Sequence, residues 1–123
     1  MILVDTSVWV DHFRTADPAL HDLLVRKQVV VHPFIIGELA LGPHSQREAA
    51  LGSMPRMRSV IVADDPDVWN LIERHALFGR GIGYIDVHLL ASARLTPDTQ
   101  LWSLDRRLNA AAEALGVAAR LAH

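Results

Sequence analysis

Short runs of consecutive apolar residues alternate along the chain with longer stretches in which apolar positions recur every three or four residues. Met1-Ile2-Leu3-Val4 is the first such run, and it stops abruptly at Asp5-Thr6-Ser7. A run this short and unbroken predicts a strand buried on both faces. Aspartate is a poor strand residue, whereas threonine and serine cap free backbone N–H groups at helix starts. The pattern is strand, acidic residue, helix start, with the helix over Ser7–Arg14. Asp17-Pro18 places a cap before a proline at the first helical position and opens a helix to about Lys27. Val29-Val30-Val31-His32 is a second strand, followed by a helix over Pro33–Leu41 that ends at Gly42-Pro43. Ser45-Gln46-Arg47-Glu48 matches a capping box and opens a helix to about Gly52.

The second half repeats the scheme. Ser59–Ala63 is a third strand, and Asp65-Pro66 starts a helix that runs to Phe78 and stops at Gly79. Gly79–Gly83, with three glycines in five residues, forms a flexible loop. A long helix covers about Tyr84 to Leu95, and Gln100–Leu104 is a fourth strand. Arg106–Leu115 is a helix closed by Gly116, and Val117–Leu121 a short fifth strand. Strands alternating with helices predict an α/β fold, a three-layer α/β/α sandwich around a central parallel sheet of four to five strands. No linker, repeat or low-complexity segment interrupts the chain, so residues 1–123 are expected to form a single domain. Right-handed crossovers put the carboxyl ends of the strands on one edge, where open α/β sheets bind ligands.

Composition narrows the class. At 123 residues, 50% hydrophobic and 21% charged, the chain has the make-up of a soluble globular domain with a real core. No apolar run approaches the roughly 18 residues of a membrane span, and no membrane partner is expected. Residues 1–15 lack the basic start and cleavage site of a signal peptide. With no cysteine there is neither a disulfide nor a thiolate metal site, which fits a reducing cytosol, and a cytoplasmic location is expected. The net charge of −2 excludes a polycation that binds nucleic acid through bulk charge. Lys27 is the one lysine among 12 basic residues, and the others are arginines, which can grip phosphate with two N–H groups. Arg14, Arg80, Arg106 and Arg107 fall in loops or first turns near the ligand edge and are candidates for phosphate contacts, with solvated surface as the competing reading.

Four carboxylates stand inside mostly apolar sequence. Asp105 repeats the logic of Asp5, because it directly follows Leu101-Trp102-Ser103-Leu104. Asp86 shares a helical stripe with Leu89, Leu90 and Ala93, which aims it at the core side from the first turn. Glu38 shares a stripe with Phe34, Ile35 and Leu41 and is the only charged residue between Pro33 and Gly42. Each has a plain reading alone: a helix cap for Asp5 or Asp105, a dipole partner for Asp86, a solvated flank for Glu38. Charged groups are rarely buried unless paired or metal-bound, so four such placements in one small domain ask for a common cause. A single divalent-cation site supplies it. Clustered carboxylates repel and take up protons, whereas Mg²⁺ or Mn²⁺ removes that repulsion and binds oxygen ligands while keeping waters. Such an ion can polarise a phosphoryl oxygen and generate a hydroxide nucleophile, and the helix opening at Thr6-Ser7 offers N–H groups to a phosphate. The parts describe metal-dependent phosphodiester hydrolysis.

The same residues resemble the PIN domain family, in particular its VapC-type ribonuclease toxins from bacterial toxin–antitoxin pairs. The resemblance covers essentially the whole chain and rests on four motifs in order. These are Ile2-Leu3-Val4-Asp5-Thr6-Ser7, Glu38-Leu39 before Gly42, Asp86-Val87-His88-Leu89-Leu90-Ala91, and Leu101-Trp102-Ser103-Leu104-Asp105-Arg106-Arg107-Leu108. It implies Asp5, Glu38, Asp86 and Asp105 as the catalytic, metal-binding acidic residues. Thr6, Ser7 and Ser103 match hydroxyl positions beside the site, and Arg106 stands next to the fourth carboxylate. It further implies an Mg²⁺- or Mn²⁺-dependent endoribonuclease that inhibits translation by cutting tRNA, rRNA or mRNA, leaving a 5′-phosphate and a 3′-hydroxyl. The expected partners are a cognate antitoxin protein filling the acidic cleft and a second copy in a homodimer. Some members carry a further acidic residue two positions after the fourth carboxylate, where this chain has Arg107. That departure favours one tightly held ion, with a second recruited by RNA.

Other features compete for attention. Trp9, Trp69 and Trp102 offer base-stacking surfaces but sit in apolar patterns, so core packing is expected. His12 and His88 are expected to pack or face solvent, since phosphodiester chemistry with a hard metal ion does not require them. A receiver domain needs a lysine at the acidic edge, and Lys27 lies just before the second strand, at the opposite edge. A haloacid dehalogenase-like phosphatase needs a second aspartate two positions after the first, where Ser7 stands. The phosphatase stays an alternative despite that mismatch, beside a non-catalytic module whose acidic cleft binds a basic peptide.

Overall fold

The computed structural model describes residues 1–121. Strand β1 (Ile2–Val4) leads into helix α1 (Thr6–Arg14) and then α2 (Pro18–Val25). Strand β2 (Val29–Val30) precedes α3 (Pro33–Ala40), α4 (His44–Ser53) and a 3₁₀ turn at Met54–Arg56. Helices α5 (Asp65–His75) and α6 (Tyr84–Leu95), strand β3 (Gln100–Trp102) and α7 (Arg106–Ala114) complete the domain. The strands are parallel in the order β2-β1-β3, with Leu3 opposite both Val30 and Leu101. Leu3, Val4, Leu101 and Trp102 are buried, as expected for a sheet covered on both faces. Helices α1, α3 and α4 pack together, while α5 packs on α6 and α6 lies against β3.

The sheet has three strands among the described residues rather than four to five. The predicted outer strands reach it, but each forms only one bridge, Val31 with Ser59 and Leu101 with Ala118. Backbone donors explain the third. Ile61 N–H goes to Thr96 Oγ1 at 2.9 Å and Ala63 N–H to Ser92 Oγ at 3.0 Å, so the segment leaves the sheet to bond with α6. At the other edge, Leu101 alone exchanges bonds with Val117 O and Ala119 N before the chain departs.

Three local expectations are also corrected. The capping box at Ser45 does not form, because α4 begins one residue earlier at His44 and Ser45 is already helical. A capping box forms instead between Asp64 and Asp67 at the start of α5. That helix ends at His75 rather than Phe78: Ala76 turns left-handed at φ 49°, and Leu77 N–H bonds back to Ile72 O while its side chain enters the core. Trp69 is 57% exposed, whereas Trp9 and Trp102 are buried as expected. Val68 and Leu71 take the core face of α5, and Trp69, about 100° around the helix from Val68, looks outward.

Candidate active site

The ends of β1 and β3 lie side by side, because Asp5 N–H bonds to Trp102 O at 2.9 Å. Asp5 is the N-cap of α1 yet makes no side-chain cap. Its Oδ2 instead accepts the hydroxyls of Ser7 at 2.9 Å and Ser103 at 2.7 Å. Ser103 Oγ accepts the Asp105 N–H at 3.0 Å, and Ser7 Oγ accepts that of Leu104 at 3.1 Å, so the two hydroxyls tie the two strand ends together. Asp105 caps α7 in the ordinary way, with Oδ1 accepting from Arg107 N–H and Leu108 N–H. Asn109, one turn further on, donates to Ser103 O at 2.8 Å and braces the same loop.

Glu38 joins through Thr6. The Thr6 hydroxyl donates to Glu38 Oε1 at 2.9 Å, which links the first residue of α1 to α3. Glu38 does not share a buried stripe as expected: Ile35 and Leu39 take the core face of α3, while Glu38 faces outward with Phe34 and Leu41. Asp86 is half-buried in the first turn of α6, and its Oδ2 accepts the Gly83 N–H at 3.0 Å. Burial pushes its carboxyl pKa up, the Gly83 bond opposes that, and the charges of Asp5 and Asp105 raise it further. That repulsion places Asp86 in the electrostatic reach of both strand-end aspartates.

One oxygen of each carboxylate is thus engaged. Among the described residues no hydrogen bond occupies Asp5 Oδ1, Glu38 Oε2, Asp86 Oδ1 or Asp105 Oδ2. Neither do three acidic or histidine groups close into a ready-made metal shell among those residues. The donor set still fits a hard cation. Mg²⁺ binds through one or two carboxylates and keeps several waters, and unscreened carboxylates hold apart by repulsion.

A groove of about 640 Å³ adjoins Asp105 and is lined by Gly81, Leu104, Arg106, Arg107 and Ala110. Arg106 is exposed at the first position of α7. Arg107 lies along Gly81, where φ is +76° and an added Cβ would meet the guanidinium at 2.7 Å. The glycine-rich loop is therefore shaped to seat this arginine. Arg80 is committed elsewhere, donating to Ala76 O and His75 O at the end of α5. Arg14 is exposed at the last position of α1. His12 accepts from Asp17 N–H, and His88 is buried against Asp65. Sequence reasoning missed Asp65 and Tyr84, which meet His88, and Asn109; the only signal was spacing, since Tyr84 and His88 are four apart and Asn109 is four after Asp105.

A parallel α/β domain with acidic residues at its strand ends defines the class. The sequence model of the PIN domain matches residues 2–114, and the chain belongs to the PIN domain family. Within that family it is a VapC-type chain. Ribonuclease VapC32 of Mycobacterium tuberculosis, in strains CDC 1551 / Oshkosh and ATCC 25618 / H37Rv, is 43% identical over 118 residues, spanning 96% of this chain and 95% of the relative. No solved structure matches the chain with significance.

Proposed function

We propose that this protein is the endoribonuclease toxin of a toxin–antitoxin pair, hydrolysing RNA phosphodiester bonds and so inhibiting translation. The similarity to a ribonuclease over nearly the full length of both chains supports the activity. The observation that carries the site is the pairing of an engaged and a free oxygen on Asp5, Glu38, Asp86 and Asp105. Ser7 and Ser103 hold Asp5, Thr6 holds Glu38, Gly83 N–H holds Asp86 and the backbone of α7 holds Asp105, so each keeps one oxygen free of hydrogen bonds for a cation. When bound, Mg²⁺ or Mn²⁺ would neutralise the carboxylates, polarise a phosphoryl oxygen and acidify water. A free carboxylate oxygen would take a proton from water as the water oxygen bonds to phosphorus in line, while the P–O3′ bond breaks and the departing 3′ oxygen takes a proton from solvent. Arg106 and Arg107, over the groove beside Asp105, hold RNA phosphates against an otherwise repulsive pocket.

The cognate antitoxin is proposed to fill this acidic cleft. A homodimer is proposed through apolar surface on α3 and α5, where Leu41 at the end of α3 is 89% exposed and Trp69 on α5 lies bare. No helix among the described residues is long and apolar enough to cross a membrane, and the proposed place of action is the cytoplasm, where the RNA is.

The test is cleavage of structured RNA by antitoxin-free protein with Mg²⁺, with EDTA, and with Asp5→Asn. Metal-dependent cutting that the variant loses is expected. RNA left intact by the metal-loaded protein would refute the nuclease and point to a binding module, and phosphate released from small phosphomonoesters would point to a phosphatase.

A further inference from the structure

Asp65 stands at the start of α5, outside the four carboxylates, yet one of its oxygens reaches α6. Asp65 Oδ1 accepts the Tyr84 hydroxyl at 2.7 Å and lies 3.2 Å from His88 Nε2. Tyr84 and His88 are i and i+4 on α6, so both bonds land on one side of its first turns, with Asp86 between them in the chain. His88 is buried, and the edges and faces of Tyr84 and Phe34 pack on it with centroids 4.7 and 4.9 Å away. His32 extends the stack towards α3. Its Nδ1 accepts the Phe34 N–H, so its own proton sits on Nε2; His88, donating Nε2–H to Asp65, leaves Nδ1 bare. Neither of these buried atoms, a donor and an acceptor, has a hydrogen-bond partner among the described residues.

Asp86 needs such outside support. Hydroxyls hold Asp5 and Glu38, but Asp86 receives only Gly83 N–H, which belongs to its own helix start. Gly83 also lacks a side chain to cap α6. Among the described residues, the other side-chain bonds that tie α6 to neighbouring segments lie at Ser92, Arg94 and Thr96, in its second half. The Asp65 carboxylate is the polar tie at the first turn.

We propose that Asp65 is a positioning residue for the nuclease site, fixing Tyr84 and His88 so that the first turn of α6 presents the Asp86 carboxylate in one direction. The inference rests on Asp86 being a site carboxylate, as read above. Groups bonded directly to metal ligands typically affect metal affinity or activity ten- to a hundredfold, and Asp65, which reaches Asp86 only through Tyr84 and His88, belongs at the low end of that range.

The experiment compares Asp65→Ala, Asp65→Asn, Tyr84→Phe and Asp86→Asn in the whole chain. Mn²⁺ affinity, kcat and KM on a labelled RNA, and the urea midpoint are measured for each. Asp65→Ala is expected to lose about tenfold in Mn²⁺ affinity or kcat, with KM unchanged. Asp65→Asn keeps an oxygen for Tyr84 and His88, and it is expected to restore most of that loss. Wild-type kcat and Mn²⁺ affinity in Asp65→Ala, or an equal loss in Asp65→Asn, would overturn the proposal. Should Asp65→Ala fail to fold, Tyr84→Phe decides, since unchanged kcat and Mn²⁺ affinity there would also overturn it. Asp86→Asn separates the two layers: if it is inactive while Asp65→Ala is not, this inference alone falls. If Asp86→Asn cleaves and binds Mn²⁺ normally, the reading of the site falls and takes this one with it.

Discussion

The carboxyl ends of β1 and β3 carry the same residue after the same kind of strand, and they use it differently. Asp105 is exposed and puts one oxygen into capping α7. Asp5 is 8% exposed, leaves α1 without a side-chain cap, and takes two hydroxyl donors on one oxygen. Forgoing a cap sacrifices about 1 kcal/mol of helix stability, and burying a carboxylate adds a desolvation cost. The Asp5 carboxylate is therefore held by side-chain hydroxyls from both strand ends rather than spent on its helix. The end of β2 offers a third case: His32 occupies the equivalent N-cap position and caps α3 with a neutral ring nitrogen.

The largest expected effect separates the two aspartates by activity. Asp5→Asn keeps the volume and an acceptor for Ser7 and Ser103 but removes the charge. RNA cleavage is expected to fall on the order of a hundredfold or more, with a urea midpoint close to that of the parent. Asp105→Asn is expected to lose less, about tenfold, because an exposed charge is screened and a buried one is not. A larger kinetic loss in Asp105→Asn would reverse the ranking of the two strand ends.

The β2 end sharpens the comparison through pH. Burial, and secondarily the nearby His88, lowers the His32 pKa from 6.5 to about 4. Between those values the unfolded chain binds the proton and the folded one does not, so stability is full above pH 6.5 and declines as pH falls towards 4. The decline attributable to this group is on the order of 3 kcal/mol. His32→Asn retains a capping acceptor but cannot titrate. Urea unfolding of parent and variant at pH 7 and 4.5 should show the parent losing more stability, and parallel losses would remove His32 as the cause.

Ser103 joins the two ends physically, donating to Asp5 and accepting from Asp105 N–H. Ser103→Ala leaves that N–H without its partner and Asp5 with only Ser7. A destabilisation of about 1–3 kcal/mol is expected in urea titration. Ser7→Ala, at a less buried position, is expected to cost less; the opposite order would show that Ser7, not Ser103, carries the junction.

The places of Asp5 and Asp105 were legible because each follows an apolar run that forms a strand, and β1 and β3 are adjacent and parallel, so their ends meet; the stripe drawn for Glu38 did not show that it faces outward on α3. The cap at Asp17 was legible too, and Asp17 Oδ1 accepts from Ala19 N–H and Leu20 N–H. An apolar run reports neither pairing nor uniform burial: Ser59–Ala63 read as a strand, but Thr96 and Ser92 take the N–H groups of Ile61 and Ala63, and Ile61 and Val62 are exposed. Trp69 misled for a related reason, since composition alone does not choose which side of α5 meets the core. The Asp65–Tyr84–His88 contact joins two helices through side chains, and no local pattern encodes it.

The smallest effect returns to the cap itself. If Asp105 serves both α7 and the site, the two roles should come apart under substitution. Asparagine caps about as well as aspartate, so Asp105→Asn is expected to leave the unfolding free energy from urea titration within about a few tenths of a kcal/mol while lowering cleavage. Asp105→Ala removes the acceptor for Arg107 N–H and Leu108 N–H as well, at a further cost of about 1 kcal/mol. At Asp5 no such gap is expected from capping, because its side chain bonds no helical N–H. Its alanine variant should lose stability instead through the stranded hydroxyls of Ser7 and Ser103, so Ser103→Ala in the same background should cost less than in the parent, only the loss from the unpartnered Asp105 N–H remaining.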